Sequence, residues 1–353
     1  MSSLNLGRIP GGKAGLAVIA LAIAFYMPYI LSSSYWILVA ASVCVFAIFG
    51  LSYNLLLGQL GLFSLGHAMF FGIGGYVIAN LLQDGSNVWV GLGLALLITI
   101  LLAFVVGAAT LRVPGIYFAI VTVAIAQAIY TAATRNVFDL TGGENGIYLS
   151  DLPEWLNVNT KPDTVYWVTL LALLATIVVI GFLRRSPMGR NWEGIRENPV
   201  RAESLGLNVR VHQLIAFTIA GGIAGFAGVL NAVTQQVAAP DQLGLAIMIQ
   251  VLLIVVIGGP GTFLGPVLGA VFVVTSGPLL DQLERVSWVE GLPEVLNRMI
   301  TSQPLVLGVV YILLVLFLPG GLASLTKRFR WLENLTGGKP GDGPPKADPA
   351  LNQ

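Results

Sequence analysis

Polar side chains are rare in the apolar stretches of this chain, so those present are the first candidates for chemistry. No Asp, Glu, Lys or Arg lies clearly inside such a stretch, and His67 is the exception among groups that titrate near neutrality. Proton pumps and ion-coupled carriers need titratable or ion-binding groups at depth, so one histidine is thin support for either. A histidine there can also serve as a packing or hydrogen-bonding residue between helices. Asn54, Gln59, Gln127 and Gln250 are further polar residues in or near apolar stretches. In hydrocarbon each must face protein or a water-filled path, which leaves two roles open: hydrogen bonding between helices, or lining a substrate path together with His67.

Catalytic and cofactor motifs are not expected. GRIPGGKA at 7–14 approaches the phosphate loop G-x-x-x-x-G-K-[ST], but it ends in Ala14 and follows no strand. Ser64 lies in GLFSLG, whose spacing is not that of the nucleophile elbow G-x-S-x-G. The one cysteine, Cys44, can form no intramolecular disulfide, and no His/Glu grouping has metal-ligand spacing. The expectation is a chain with no catalytic residues, no metal and no cofactor of its own. Any ATP-driven work would need another chain to hydrolyse the nucleotide.

The elements that carry these residues follow from composition. The chain has 353 residues, 56% hydrophobic and 10% charged, with a mean hydropathy of +0.84. A soluble domain carries about 25% charged residues, and apolar runs of about 20 belong in a bilayer. Ten spans are expected, near 15–32, 35–57, 60–82, 88–111, 116–134, 165–183, 212–233, 244–258, 262–280 and 303–319. Arg8 and Lys13 precede the first run as in a signal peptide, but no small-x-small cleavage site follows, so a retained span is expected. Glycine-rich junctions at 58–59 and 258–262 point to short, broken or re-entrant helices. The stretches GQLGLFSLG and GGPGTFLGP are faintly alike, too slightly to establish a repeat. Glycines spaced three to five apart on common faces suit close helix packing.

Charge orients the spans. Segment 184–211 holds six arginines against three acids, and the tail opens with Lys327, Arg328 and Arg330. Loop 135–164 has five acids against Arg135 and Lys161, and residues 281–302 have four acids against two arginines. The positive-inside rule then places 184–211 and both termini in the cytoplasm and the two acidic loops outside. Five spans before loop 135–164 and five after it satisfy that assignment. With a net charge of +1 there is no global field for nucleic acid, and none is expected as a partner. The Pro/Gly-rich end, GGKPGDGPPKADPALNQ, reads as disordered.

Within 184–211, the stretch RENPVRAESLGL at 196–207 carries helix punctuation. Asn198 suits an N-cap, Pro199 the first turn, and Gly206 the position past the end. A helix of about two turns is expected there, with Val200 and Leu205 as an apolar minority able to seat in a partner's groove. An ordinary basic loop against lipid headgroups is the simpler alternative.

Five stretches together resemble the permease subunits of bacterial ABC importers for branched-chain amino acids. They are GLSYNLLLGQLGLFSLGHAMFFGIGGY (50–76), VPGIYFAIVTVAIAQ (113–127), LTGGENGI (140–147), SPMGRNWEGIRENPVRAESLGLNV (186–209) and VVIGGPGTFLGPVLGA (255–270). The resemblance covers about residues 35–320. It implies an all-α integral membrane protein with the ABC importer permease fold, in the bacterial inner membrane. It implies a second permease, a paralogue more often than a copy, two ATPase subunits that hold ATP and magnesium, and a periplasmic binding protein. It also implies that 186–209 holds the coupling helix, with Arg196, Glu197, Asn198, Pro199, Arg201, Ala202, Leu205 and Gly206 as the coupling residues. Domain bounds follow: a cytoplasmic tail at 1–14, the permease at 15–320, and a second cytoplasmic tail at 321–353. One departure bears on substrate. Met248 and Gln250 stand where the family's pattern leads us to expect a small polar and an acidic residue, so urea, short amides or aromatic acids are alternative cargoes. A self-sufficient carrier or channel, and a membrane-embedded enzyme, are the readings from other classes.

Overall fold

Nine apolar stretches form α-helices in the computed structural model, which describes residues 25–29, 33–150, 152–284, 303–318 and 320–324. The expected span at 15–32 lies outside the described residues except for 25–29, which are helical. The near-phosphate loop and the C-terminal tail from 325 also lie outside them. Helix α1 covers Ser34–Asn54 and continues as a wider π-helical turn over Leu55–Leu60. There follow α2 (Ala68–Gln83), α3 (Val88–Thr110), α4 (Ile116–Thr134) and α5 (Pro162–Arg185). After α5 come two short polar helices, α6 (Pro187–Glu197) and α7 (Pro199–Ser204). The chain then forms α8 (Val209–Gln235), α9 (Leu245–Gly258), α10 (Gly265–Glu284) and α11 (Gln303–Phe317). Among the described residues, five helices are long and apolar enough to cross a bilayer: α1 with its π turn, α3, α4, α5 and α8. The fold is an all-α membrane architecture with short, broken helices among long ones, as the hydropathy pattern predicts.

Helices α1 and α8 lie at the centre. Helix α1 packs on α5, α8, α9 and α10, while α8 packs on α2 and α3 as well. Small residues make these approaches possible. Gly228 of α8 lies against the Phe71 carbonyl of α2, Gly74 of α2 against the Gly225 carbonyl, and Gly221 against Ala103 of α3. In lipid, where burial of apolar surface gives no net drive between helices, such backbone contact supplies the packing energy. Larger side chains fill the rest. Phe49 of α1 stacks on Phe71 at 4.5 Å and Phe70 meets Phe217 edge-on at 5.6 Å.

The acidic end is closed by a two-stranded antiparallel sheet. Strand β1 (Ile147–Tyr148) pairs with β2 (Val237–Ala238), and Leu149 N–H donates to Gln236 O at 3.0 Å. Beyond β2 the chain turns back into the protein. Pro240, Gln242 and Leu243 are buried, and Leu243 sits over Gly72 of α2. Helix α9 therefore starts inside the protein, which explains its 14 residues against the 23 of α3. The expected third span at 60–82 is also shorter, because residues 61–67 leave the helix.

Leucine at Gly228 would place its Cβ on the Phe71 carbonyl and force α2 from α8. Gly228→Leu is expected to destabilise by about 1–3 kcal/mol, as overpacking does, read as a lower unfolding temperature in detergent. Gly93→Ala, where nothing lies within 4 Å, should give no loss.

Candidate functional site

Two interruptions of the helical backbone meet at the arginine-rich end. The first ends the π turn of α1. Gly61 takes φ +75°, and Leu62 N–H reaches back to Leu56 O at 3.0 Å. This is the glycine-closed helix terminus that satisfies otherwise orphaned carbonyls. The second is the GGPGT turn between α9 and α10, where Gly259 and Gly261 have φ of +109° and +77°. Asn54 joins them. Its Nδ2 donates to Thr262 O at 2.8 Å, and its Oδ1 accepts from Gly261 N–H at 2.9 Å. Gly58 has no room for a Cβ, which would strike Asn54 and the Gly261 backbone.

The polar helices α6 and α7 lie against this junction. Ser186 caps α6, its Oγ accepting from Gly189 N–H at 3.3 Å, and Pro187 occupies the first turn. Trp192 and Ile195 on the inner face of α6 are buried, so the helix is seated rather than tethered. Helix α7 forms as its punctuation predicts. Asn198 Oδ1 accepts from Arg201 N–H at 3.0 Å and Gly206 takes φ +87°. From α6, Arg196 Nη1 donates to Gly58 O. From the end of α5, Arg184 Nη2 donates to Gly261 O at 3.2 Å, with its guanidinium 5.5 Å from the centre of the Phe263 ring. One arginine therefore holds each interruption.

The candidate coupling residues divide by environment. Glu197, Arg201, Val200 and Leu205 are exposed, the last two at 71% and 77%. Ala202 is buried, facing the protein, while Arg196 is exposed overall with its Nη1 donating to Gly58 O. Beside them opens a cleft of about 450 Å³ lined by Gly61, Phe63, Ile116, Ile195, Arg196 and Gln213.

The candidate path residues also divide. Asn54, at the end of α1, makes two hydrogen bonds at the junction, and Gln59 is buried in the π turn that follows. His67 is buried and stacks on Phe49 at 5.9 Å. Ser52 Oγ lies 2.7 Å from His67 Nε2 and donates to Ala220 O at 2.7 Å. A hydroxyl has one proton, so Ser52 accepts from His67, and Nε2 carries the ring hydrogen. Gln127 is exposed on α4 and Gln250 half-buried on α9. Met248 is buried against a void of about 10 Å³ shared with Leu65, Ala68 and Gln127. That space suits one water, not an amino-acid side chain. Sequence reasoning did not single out Ser52, Arg184 or Thr262. The signal for the last was its place in GGPGT, read as a break but not as a hydrogen-bonding partner.

Residues 35–318 match the family described as branched-chain amino acid transport system / permease component. The chain belongs to that family. The matched region of the permease includes both interruptions, α6 and α7. It is 31% identical to the high-affinity branched-chain amino acid transport system permease protein LivM of Salmonella typhimurium over 337 residues, 88% of this chain and 75% of LivM. It is also 31% identical to LivM of Escherichia coli K12 over 346 residues, 90% of this chain and 76% of that one. The autoinducer 2 import system permease protein LsrC of Salmonella typhi is 27% identical over 222 residues, 60% of this chain and 61% of LsrC. No solved structure is significantly similar to the permease.

A Cβ at Gly61 would lie 3.9 Å from the Cβ of Arg196, within the range disulfides span. The pair Gly61→Cys with Arg196→Cys is expected to crosslink on oxidation, seen as a linked peptide by mass spectrometry. The left-handed φ at Gly61 will lower the yield of folded protein without moving the pair apart. Native Cys44 is buried and should remain a free thiol.

Proposed function

We propose that this chain is the membrane-spanning permease subunit of an ABC importer whose cargo is a branched-chain amino acid. Family membership over residues 35–318 carries the reading. The likeness to LivM, over 88% of the chain, favours that cargo above the signal imported through LsrC, whose likeness covers 60%. Positive-inside places α6 and α7 in the cytoplasm with both termini, and the β1–β2 end on the outer face. The permease domain spans 15–320, and loop 135–164 receives a periplasmic binding protein. A second, paralogous permease completes the path. Two ATPase subunits supply the energy, binding ATP and magnesium outside this chain.

The ATPase would grip the exposed side of the α6–α7 pair. Val200 and Leu205 are large apolar side chains on a charged helix, the arrangement of a helix that enters a groove. Glu197 and Arg201 flank them as charged contacts, while Asn198, Pro199 and Gly206 fix the shape of α7. ATP binding would draw the ATPase subunits together, and the seated helices would carry that movement to α5 and α8 on either side.

Two measurements test this. Cells relying on this importer should lose uptake of labelled leucine when the chain is deleted and regain it with the gene restored. The double change Val200→Asp, Leu205→Asp should lower ATPase co-purification at least about tenfold, as loss of interface hot spots does, with the permease still in the membrane. Unchanged co-purification together with uptake untouched by deletion would remove the reading.

A further inference from the structure

We propose that Arg196 is a positioning residue for transport: it passes movement of α6 and α7 to both interrupted helices, and Arg184 completes the clamp on the second one. The inference rests on the importer reading above and adds the connection inside the permease, which docking alone does not supply. Three observations carry it. Arg196, like its neighbour Glu197, is exposed over much of its surface, yet its Nη1 donates to Gly58 O of the π turn. The Gly58 carbonyl belongs to the last turn of the π helix, where carbonyls lack helical partners and carry the negative end of the helix dipole. A guanidinium is matched to that end by charge and by donor number. Thirdly, the same Nη1 would be 2.9 Å from a Cβ at Gly261, so one side chain lies over both interruptions.

The geometry makes the two interruptions move as one. Asn54 bonds to Thr262 O and to Gly261 N–H, and Arg184 bonds to Gly261 O. A displacement of α6 relative to the membrane therefore reaches Gly58 through Arg196, and Gly261 through Asn54. It then reaches α9, which ends at the GGPGT turn, and α10, which begins just after it. Since α6 follows α5 with only Ser186 between them, Arg184 and Arg196 approach the junction from two consecutive elements. The exposed face of α6–α7 and this inward face are opposite ends of one lever.

The test uses the full importer, the chain with its own ATPase, second permease and binding protein, reconstituted in lipid vesicles with labelled leucine as probe. For Arg196→Ala the expected result is normal ATPase co-purification, continued ATP hydrolysis, and leucine uptake lowered about tenfold, the scale of one charge-assisted hydrogen bond. Arg196→Lys, which keeps the charge and one donor, should recover part of the uptake. Arg196→Gln carries the same readout if the alanine variant fails to accumulate. Equal uptake by wild type and variants overturns the clamp and leaves the importer reading standing. Loss of the ATPase from the variant complex overturns it too, making Arg196 a docking contact. A wild-type complex that imports no leucine removes both readings.

Discussion

Backbone that leaves its helix within a membrane-spanning fold must find hydrogen-bond partners inside the protein, because hydrocarbon offers none. The junction at Asn54 meets that requirement for two interruptions with one side chain. A primary amide has a donor and an acceptor on one small plane, and both are used, Nδ2 toward Thr262 O and Oδ1 toward Gly261 N–H. Aspartate would offer no donor while ionised, and leucine would leave two half-buried backbone groups without their side-chain partner. The glycines follow from the amide: Gly58 must be bare for the approach, and Gly261 must be glycine for a φ of +77°.

Once the interruptions share a side chain, the helices on either side lose independence. Helix α1 is central, so a junction at its end reaches most of the fold. The acidic end is braced differently. There β1 pairs with β2, and Gln236 bonds to Asn157 and Asn159 across the same loop, at 3.3 and 3.1 Å. The molecule thus has side-chain hydrogen bonds to helix interruptions at one end and a strand pair at the other. The first kind can be loaded through charged helices that stand outside the span bundle; the second ties a loop to a helix end.

Spans were legible in the sequence because hydrophobic length is a local property. The segment 116–134 coincides with α4, and the breaks near 58 and 260 were marked by glycine. Helix α7 was legible for the same reason, since Asn198, Pro199 and Gly206 act within a few residues of themselves. Helix α6 was not separated from its loop, although Ser186 and Pro187 stand at its start. Its inner face offers only Trp192 and Ile195 as buried apolar side chains, too few for a period in a polar segment. The partnership of Asn54 with Gly261 spans 207 positions, and no local signal announces it. The return of the chain over 237–244 was hidden similarly: AAPDQLG reads as a surface turn, yet Gln242 and Leu243 are buried against α2.

The polar residues sort themselves by what they satisfy. Asn54 bonds to backbone of the GGPGT turn, and His67 bonds through Nε2 to Ser52 while its buried Nδ1 has no partner among the described residues. Gln127 differs, because it is exposed on α4 with Ala124, Ala128 and Thr131, and with Tyr117 and Ile120 further toward the helix start. The outward face of α3 carries Leu94, Leu97, Leu101, Phe104 and Val105, and that of α5 carries Leu171, Val178 and Phe182. Hydrocarbon solvates the second kind of surface well and an amide badly. An exposed amide on α4 is therefore a poorer neighbour for lipid than the leucine-rich outward faces of α3 and α5. The short start of α9, with Gln250 half-buried on it, lies next to that part of α4 across the Gln127–Met248 void. Of the five polar residues that first suggested a path, Asn54, Gln59 and His67 are buried, whereas Gln127 is exposed and Gln250 half-buried.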